Sequence, residues 1–417
     1  MYWKKSSHEQ IKETIFEALA ENMDYRGDRP ILGIPGTYLD PTEFYPDAPF
    51  LKDAPFMSAL VSNPNHIGVH TLSEESVLEV FKGTQKIESE LIQLVSEQIF
   101  KGEKGKQDGY VATGGTEANI QAIWMFRNHF RSEFKLKTEE IALVYSEDSH
   151  YSMPKAANLL DLSSIILKVD SANRQILPDD LLGKIEKAKS QGYKAFIIVA
   201  NLSTTMFGSV DDLNFLGDFF TKNGHPFRIH VDAAYGGFIY PFTNPNSVYT
   251  FNNPYVSSIA ADGHKMLQTP YGTGLFLCRK GLISYVKTKE ASYIPGKDYT
   301  LSGSRSGANA ISIWMILNIH GSEGWKYKME TLCDRTERIC KHLSQIGISY
   351  YRNPYLNIIA IKSSQISPNL ANKYYLVADT YERHPNWYKI VVMPHVKPGT
   401  IDQFLSDLEM ENKSTHN

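Results

Sequence analysis

Residues 229–237 read Ile229-His230-Val231-Asp232-Ala233-Ala234-Tyr235-Gly236-Gly237, and residues 257–266 lead from another apolar run into Asp262-Gly263-His264-Lys265-Met266. Each stretch is an apolar run that stops at an acid beside small residues, the pattern of a buried strand entering a turn. One strand end thus presents a carboxylate and the next presents an amine. In open α/β sheets the carboxyl ends of the strands are where ligands bind.

The same alternation continues outward from these two stretches. Runs at 109–113, 141–145, 164–169, 195–200, 228–231, 257–260 and 274–278 are separated by Gly- or Ser-rich turns and helical stretches. Most lack the polar alternation of a strand with a wet face, so they predict a parallel sheet covered by helices on both sides. Residues 7–24 read as an amphipathic helix with Ile11, Ile15, Ala18 and Leu19 on one side. Residues 27–70 are rich in Pro, Gly and aromatics with no sustained period, and a segment of that length is functional or packed on a partner. Helical spacing resumes over 73–100. Beyond Ser312 a long helix runs through Met315, Leu317, Trp325 and Met329 to Leu343, followed by strands at 355–361 and 388–394 and a helix at 401–410. The expected division is an N-terminal helix and active-site or dimer-contact segment (1–70), a large domain (71–311) and a small C-terminal α+β domain (312–417).

Bulk properties bound the function. The 417 residues suffice for a large core and a second, smaller one. With 42% hydrophobic and 21% charged residues and a net charge of -3, the chain has the make-up of a globular protein and no field for gripping nucleic acid. Three cysteines, Cys278, Cys333 and Cys340, form no disulfide framework and show no metal-ligand spacing, which points to a reducing cytoplasm and no metal. No signal peptide and no run of about eighteen apolar residues is visible, so neither export nor a membrane is expected.

Four further features lie at strand ends. In Thr113-Gly114-Gly115-Thr116-Glu117-Ala118-Asn119 the small residues let backbone approach an anion at a helix N-terminus, while the same turn also serves as a plain strand-to-helix connection. His150 follows the next strand, where an imidazole can stack on a planar ring or simply pack. Thr204 follows another and either meets a ligand or caps a loop. Asp232 among alanines and glycines is desolvated unless a cation partners it, the alternative being a helix cap. An acid to face a pyridinium nitrogen, an amine for covalent attachment, an anion turn and a stacking histidine are together what pyridoxal 5'-phosphate requires. Lys265 supplies the amine.

Over nearly its whole length the chain resembles the pyridoxal-phosphate-dependent group II amino-acid decarboxylases of the aspartate-aminotransferase fold (fold type I). The matching residues are 113–119, His150, His230-Val231-Asp232-Ala233-Ala234, 262–266, Ser302-Gly303-Ser304-Arg305-Ser306-Gly307 and Lys389-Ile390-Val391-Val392-Met393-Pro394-His395-Val396. Within the family the chain resembles the compact microbial tyrosine/aspartate decarboxylases, sharing residues 63–71 as well. The resemblance implies that Lys265 binds the cofactor covalently, Asp232 pairs with the pyridinium, and His150 stacks on the ring. It also implies that Gly115, Thr116 and His264 hold the phosphate, that Thr204 and Ala234 border the cofactor, and that Ser304 reaches in from the second subunit of a homodimer. In many aromatic-amino-acid members a loop tyrosine returns the proton to Cα; here Asn318-Ile319-His320-Gly321 aligns with it, leaving His320, Tyr293 and Tyr299 as candidate donors.

Decarboxylation of an amino acid is the leading expectation, with an aromatic substrate such as tyrosine placed first and aspartate, histidine and diamino acids open. His66, Tyr38 and Arg352 are candidate substrate contacts. A carbon-carbon lyase of phosphorylated sphingoid bases would share the same residues but lacks support from any membrane anchor. A silent binding protein on this fold would have lost the lysine or the acid, and both are present.

Overall fold

The computed structural model describes Pro30, Leu32, His66–Ile67, residues 82–288 and residues 297–415. The helix expected at 7–24, nearly all of 27–70 and the first part of the helix expected at 73–100 lie outside the described residues, as does Tyr293.

The first elements among the described residues are β1 (His66–Ile67) and α1 (Lys82–Gln93), which ends in a wider turn over Leu94–Ile99. Strands and helices then alternate: β2 (Gln107–Ala112), α2 (Gly115–Glu133), β3 (Ile141–Ser146), α3 (Ser152–Leu160), β4 (Ser163–Leu167), α4 (Pro178–Ser190), β5 (Ala195–Asn201), α5 (Leu213–Lys222), β6 (Phe227–Asp232), β7 (Val256–Asp262) and β8 (Gly274–Arg279). They form one seven-stranded sheet in the order β2-β8-β7-β6-β5-β3-β4.

Four of its pairings are parallel, as expected, but β8 runs antiparallel to both β7 and β2. The link from β7 to β8 spans only residues 263–273, too short for the crossover that a parallel neighbour needs. The edge strand β4 is also wetter than its apolar sequence suggests, with Ser163, Ser164 and Ile166 exposed.

Burial on both faces explains the unbroken apolar runs. Along β5, Phe196, Ile198 and Ala200 join the core on one side of the sheet, while Ala195, Ile197 and Val199 join the core on the other. This period of two is the strand geometry itself. Each core is closed by helices, α2 and α3 on one side and α1, α4 and α5 on the other.

After the sheet come β9 (Ser304–Arg305), paired with β1, and the helix α6 (Gly307–Gln345). Gly321 breaks the helical path of α6 with φ 59° and ψ 179°, a left-handed conformation that favours glycine. A separate antiparallel sheet, β10 (Tyr350–Tyr351), β11 (Ile358–Lys362), β12 (Val377–Ala378) and β13 (Trp387–Val391), is ordered β10-β11-β13-β12. It packs with α7 (Pro398–Thr415) around its own core of Ile359, Ile361, Ile390 and Phe404. Among the described residues no helix is long and apolar enough to cross a membrane.

Candidate active site

The carboxyl ends of β2, β3, β5, β6 and β7 converge on one cleft of about 260 Å³. Gly115, Thr116, His150, Thr204, Asp232, Ala234, His264 and Lys265 all line it, so eight residues named from sequence meet in one place. Ser304 does not line it and is exposed on β9. His320 is also outside it: its ring packs 5.5 Å from Trp325 and its Nε2 lies 3.5 Å from Lys328 Nζ. Tyr299, the third proton-donor candidate, is half-buried against the core on the α2 side, and its carbonyl accepts from Gln121.

The turn at the start of α2 forms an anion cradle. Gly114 is the N-cap with φ 143°, and no side chain caps the helix, which leaves its N-terminal dipole directed at the cleft. Side chains have no room there. A Cβ on Gly115 would lie 2.9 Å from Ala234 Cβ and 3.0 Å from Asp262 Oδ2, and one on Gly274 would lie 2.6 Å from Gly114 Cα. Glu117 braces the turn by accepting from Thr113 N at 2.8 Å, Tyr110 Oη at 3.0 Å and Ser302 Oγ at 3.0 Å.

Lys265 Nζ sits 3.1 Å from Asp262 Oδ2, and Asp262 is 2% exposed. Beside it, His264 Nδ1–H donates to the Thr273 carbonyl at 2.7 Å, so its Nε2 faces Asp262. Asp262 Oδ1 is buried with no hydrogen-bond partner among the described residues. Asp232 Oδ1 accepts from Ala234 N at 3.1 Å and Oδ2 from Asn119 Nδ2 at 2.9 Å. His150 Nδ1 meets Ser152 Oγ at 2.9 Å, and burial holds its pKa below that of a free histidine. Thr204 is present, but its hydroxyl is shared with Ser209 Oγ at 2.7 Å.

Several contributors were not assigned a role from sequence. Asn119 and Ser152 bind the residues just described, and Glu117 holds the turn. Lys389 on β13 is 4% exposed and donates to the Thr205 carbonyl at 3.1 Å. Burial, then repulsion from Lys265, lowers its pKa to about 8. One signal was available for His230: it stands two residues before Asp232 on a strand, on the same face.

A cradle without side chains, an acid, an amine and an imidazole in one cleft fit pyridoxal phosphate by donor chemistry and by space. This arrangement defines a cofactor-dependent enzyme acting on amino groups. Residues 79–347 match the model of the pyridoxal-dependent decarboxylase conserved domain. A tryptophan decarboxylase of Clostridium sporogenes is 46% identical over 412 residues, covering 99% of this chain and 98% of that protein. A probable L-tyrosine/L-aspartate decarboxylase of Methanocella arvoryzae is 30% identical, covering 86% and 94%. Among solved structures, a sphingosine-1-phosphate lyase of Burkholderia pseudomallei superposes with a TM-score of 0.79 at 19% identity, covering 99% of this chain and 92% of that one, which speaks for the fold alone.

The chain belongs to the pyridoxal-dependent decarboxylase family. It is an amino-acid decarboxylase that uses pyridoxal phosphate. The 46% identical relative acts on tryptophan, an aromatic amino acid other than the tyrosine placed first from sequence.

Proposed function

We propose that this enzyme converts an aromatic L-amino acid, tryptophan before the others, to its amine and carbon dioxide. The observation that carries the reading is identity to a tryptophan decarboxylase over almost the full length of both chains. The cleft supports the residue roles. Lys265 would hold the cofactor covalently and be released from it by the substrate amine, Asp232 would supply the counter-charge, and His150 would cover the ring. Gly115, Thr116 and His264 hold the phosphate, with Thr204 and Ala234 at the ring's border. Bound there, pyridoxal phosphate provides the sink for the electron pair left at Cα when carbon dioxide departs.

Proton return to Cα falls to His320 or Tyr293. Since His320 does not line the cleft of its own chain, that role requires a second subunit. A homodimer in which Ser304 also crosses over is therefore part of the proposal. So are a cytoplasmic setting, supported by three free thiols, and a small C-terminal domain, supported by the separate core of the small sheet, which takes up α6 from Ile339 onward while Ile313 to Leu332 pack in the large core.

An amine-product assay over tryptophan, tyrosine, phenylalanine, histidine and aspartate with added cofactor tests this reading. Tryptamine and carbon dioxide in equal amounts, with tryptophan preferred at least about tenfold in kcat/KM, is the expected result. Preference for a non-aromatic acid contradicts it, and release of an aldehyde in place of carbon dioxide favours the carbon-carbon lyase.

A further inference from the structure

A chain of hydrogen bonds crosses the buried floor of the cleft. It runs from Ser258 on β7 to His230 on β6 and then to Asn119 on α2, where it forks. One branch reaches Asp232, and the other reaches His150 through Ser152 on α3. Ser258, His230 and Ser152 are fully buried, Asn119 is 1% exposed and Asp232 is 6% exposed.

Chemistry fixes the direction of every bond. The Ser152 backbone N–H donates to His150 Nδ1 at 3.2 Å, so that nitrogen carries no proton and the neutral ring is the Nε2–H tautomer. The Ser152 hydroxyl, 2.9 Å away, donates to the same lone pair, which leaves its oxygen to accept from Asn119 Nδ2 at 3.0 Å. A carboxylate only accepts, so the group facing Asp232 Oδ2 at 2.9 Å is again the Asn119 amide nitrogen. Both amide protons are then used. Asn119 Oδ1 must accept the His230 Nε2–H at 2.8 Å, and His230 Nδ1 accepts from the Ser258 hydroxyl at 2.8 Å.

We propose that Asn119 is a positioning residue that sets the orientation of the Asp232 carboxylate and turns the Ser152 hydroxyl onto His150 Nδ1, with His230 locking its amide. The role rests on the reading that Asp232 and His150 flank the cofactor. A side chain here needs one acceptor and two donors. Aspartate offers no donor when ionised, and serine offers only one.

The surroundings keep both imidazoles neutral, as the chain requires. Burial lowers the pKa of His230 to about 4, against the opposing pull of Asp232 and of a hydrogen bond to the Ser258 backbone. Burial also lowers that of His150, with Lys265 and Lys155 acting in the same sense and Asp232 and Asp262 opposing.

Nitrogen NMR of labelled histidines in the cofactor-free protein reads the network directly. Wild type is expected to show the Nε2–H form of both His150 and His230 at neutral pH. Asn119→Ala should free the tautomer of His230 and raise the pKa of His150, whereas Ser152→Ala should raise the pKa of His150 alone and Ser258→Ala should shift the resonances of His230 alone. With cofactor added, Asn119→Ala should weaken binding of pyridoxal phosphate by about 10–100-fold, the range for residues that orient ligating groups. An Nδ1–H form of either ring in wild type overturns the proposal, and so does an Asn119→Ala protein that changes only one ring or binds cofactor as wild type does. If Asn119→Ala does not fold, the wild-type tautomers and the two serine variants decide the matter: an unchanged His150 pKa in Ser152→Ala would contradict the stated bond directions. Failure of wild type to bind the cofactor at all would refute the site reading while leaving the tautomer result standing.

Discussion

Replacing Asp232 by asparagine keeps the shape of the side chain and removes its charge. In the wild type both carboxylate oxygens accept, Oδ1 from Ala234 N and Oδ2 from Asn119 Nδ2. Asparagine has one acceptor and one NH₂ group, so in either orientation a donor faces a donor. At a site 6% exposed, the unmade bond costs about 1–3 kcal/mol of stability. The catalytic loss is larger. A unit charge acting across about 4 Å at an effective dielectric near 20 contributes about 4 kcal/mol, which corresponds to a rate loss of about a thousandfold. The assay is carbon dioxide release at saturating cofactor, with thermal unfolding measured in parallel to separate the two effects. A variant that melts a few degrees lower but decarboxylates within about threefold of wild type would refute the counter-charge role and leave Asp232 a structural residue.

Other outcomes follow from the same geometry. Gly115→Ala pushes a methyl against Ala234 and Asp262, neither of which can swing away, so cofactor affinity should fall by about tenfold or more at an overpacking cost of about 1–3 kcal/mol; unchanged affinity in a cofactor titration would show that the turn does not hold the phosphate. Burial raises the Asp211 carboxyl to about 7, despite hydrogen bonds from Asn201, so the folded state binds a proton that the unfolded state, with a carboxyl near 3.9, releases. Stability contributed by that proton is present below about pH 4 and is lost as pH rises through about 7. Asp211→Asn should therefore flatten the fall in stability over that window, and curves that stay parallel to wild type would contradict the assignment.

The strands of the large sheet were legible because burial on both faces leaves no room for polar alternation, as in Ala195–Asn201. The direction of β8 was not, since apolar content is the same for either direction and only the short 263–273 connection decides it. Within the cleft, Asp232 and Lys265 were legible because each stands at the end of an apolar run. Asn119 was not assigned a role because its partner Asp232 lies 113 positions away, a proximity that the folded sheet creates. Lys389 was hidden for a related reason: a lysine within an apolar strand says nothing of the Thr205 carbonyl that holds it. Substrate choice among the aromatic amino acids was not legible because the motif residues meet the cofactor, and the cofactor is the same whichever amino acid is bound.

The covalent anchor is the central claim, and two buried or half-buried amines compete for it. Reducing the cofactor-loaded enzyme with borohydride and mapping the modified peptide by mass spectrometry identifies the amine that carries pyridoxal phosphate. The label is expected on Lys265, in the peptide containing Asp262-Gly263-His264-Lys265-Met266. A label on Lys389, or none at any lysine under conditions of full activity, would contradict the account.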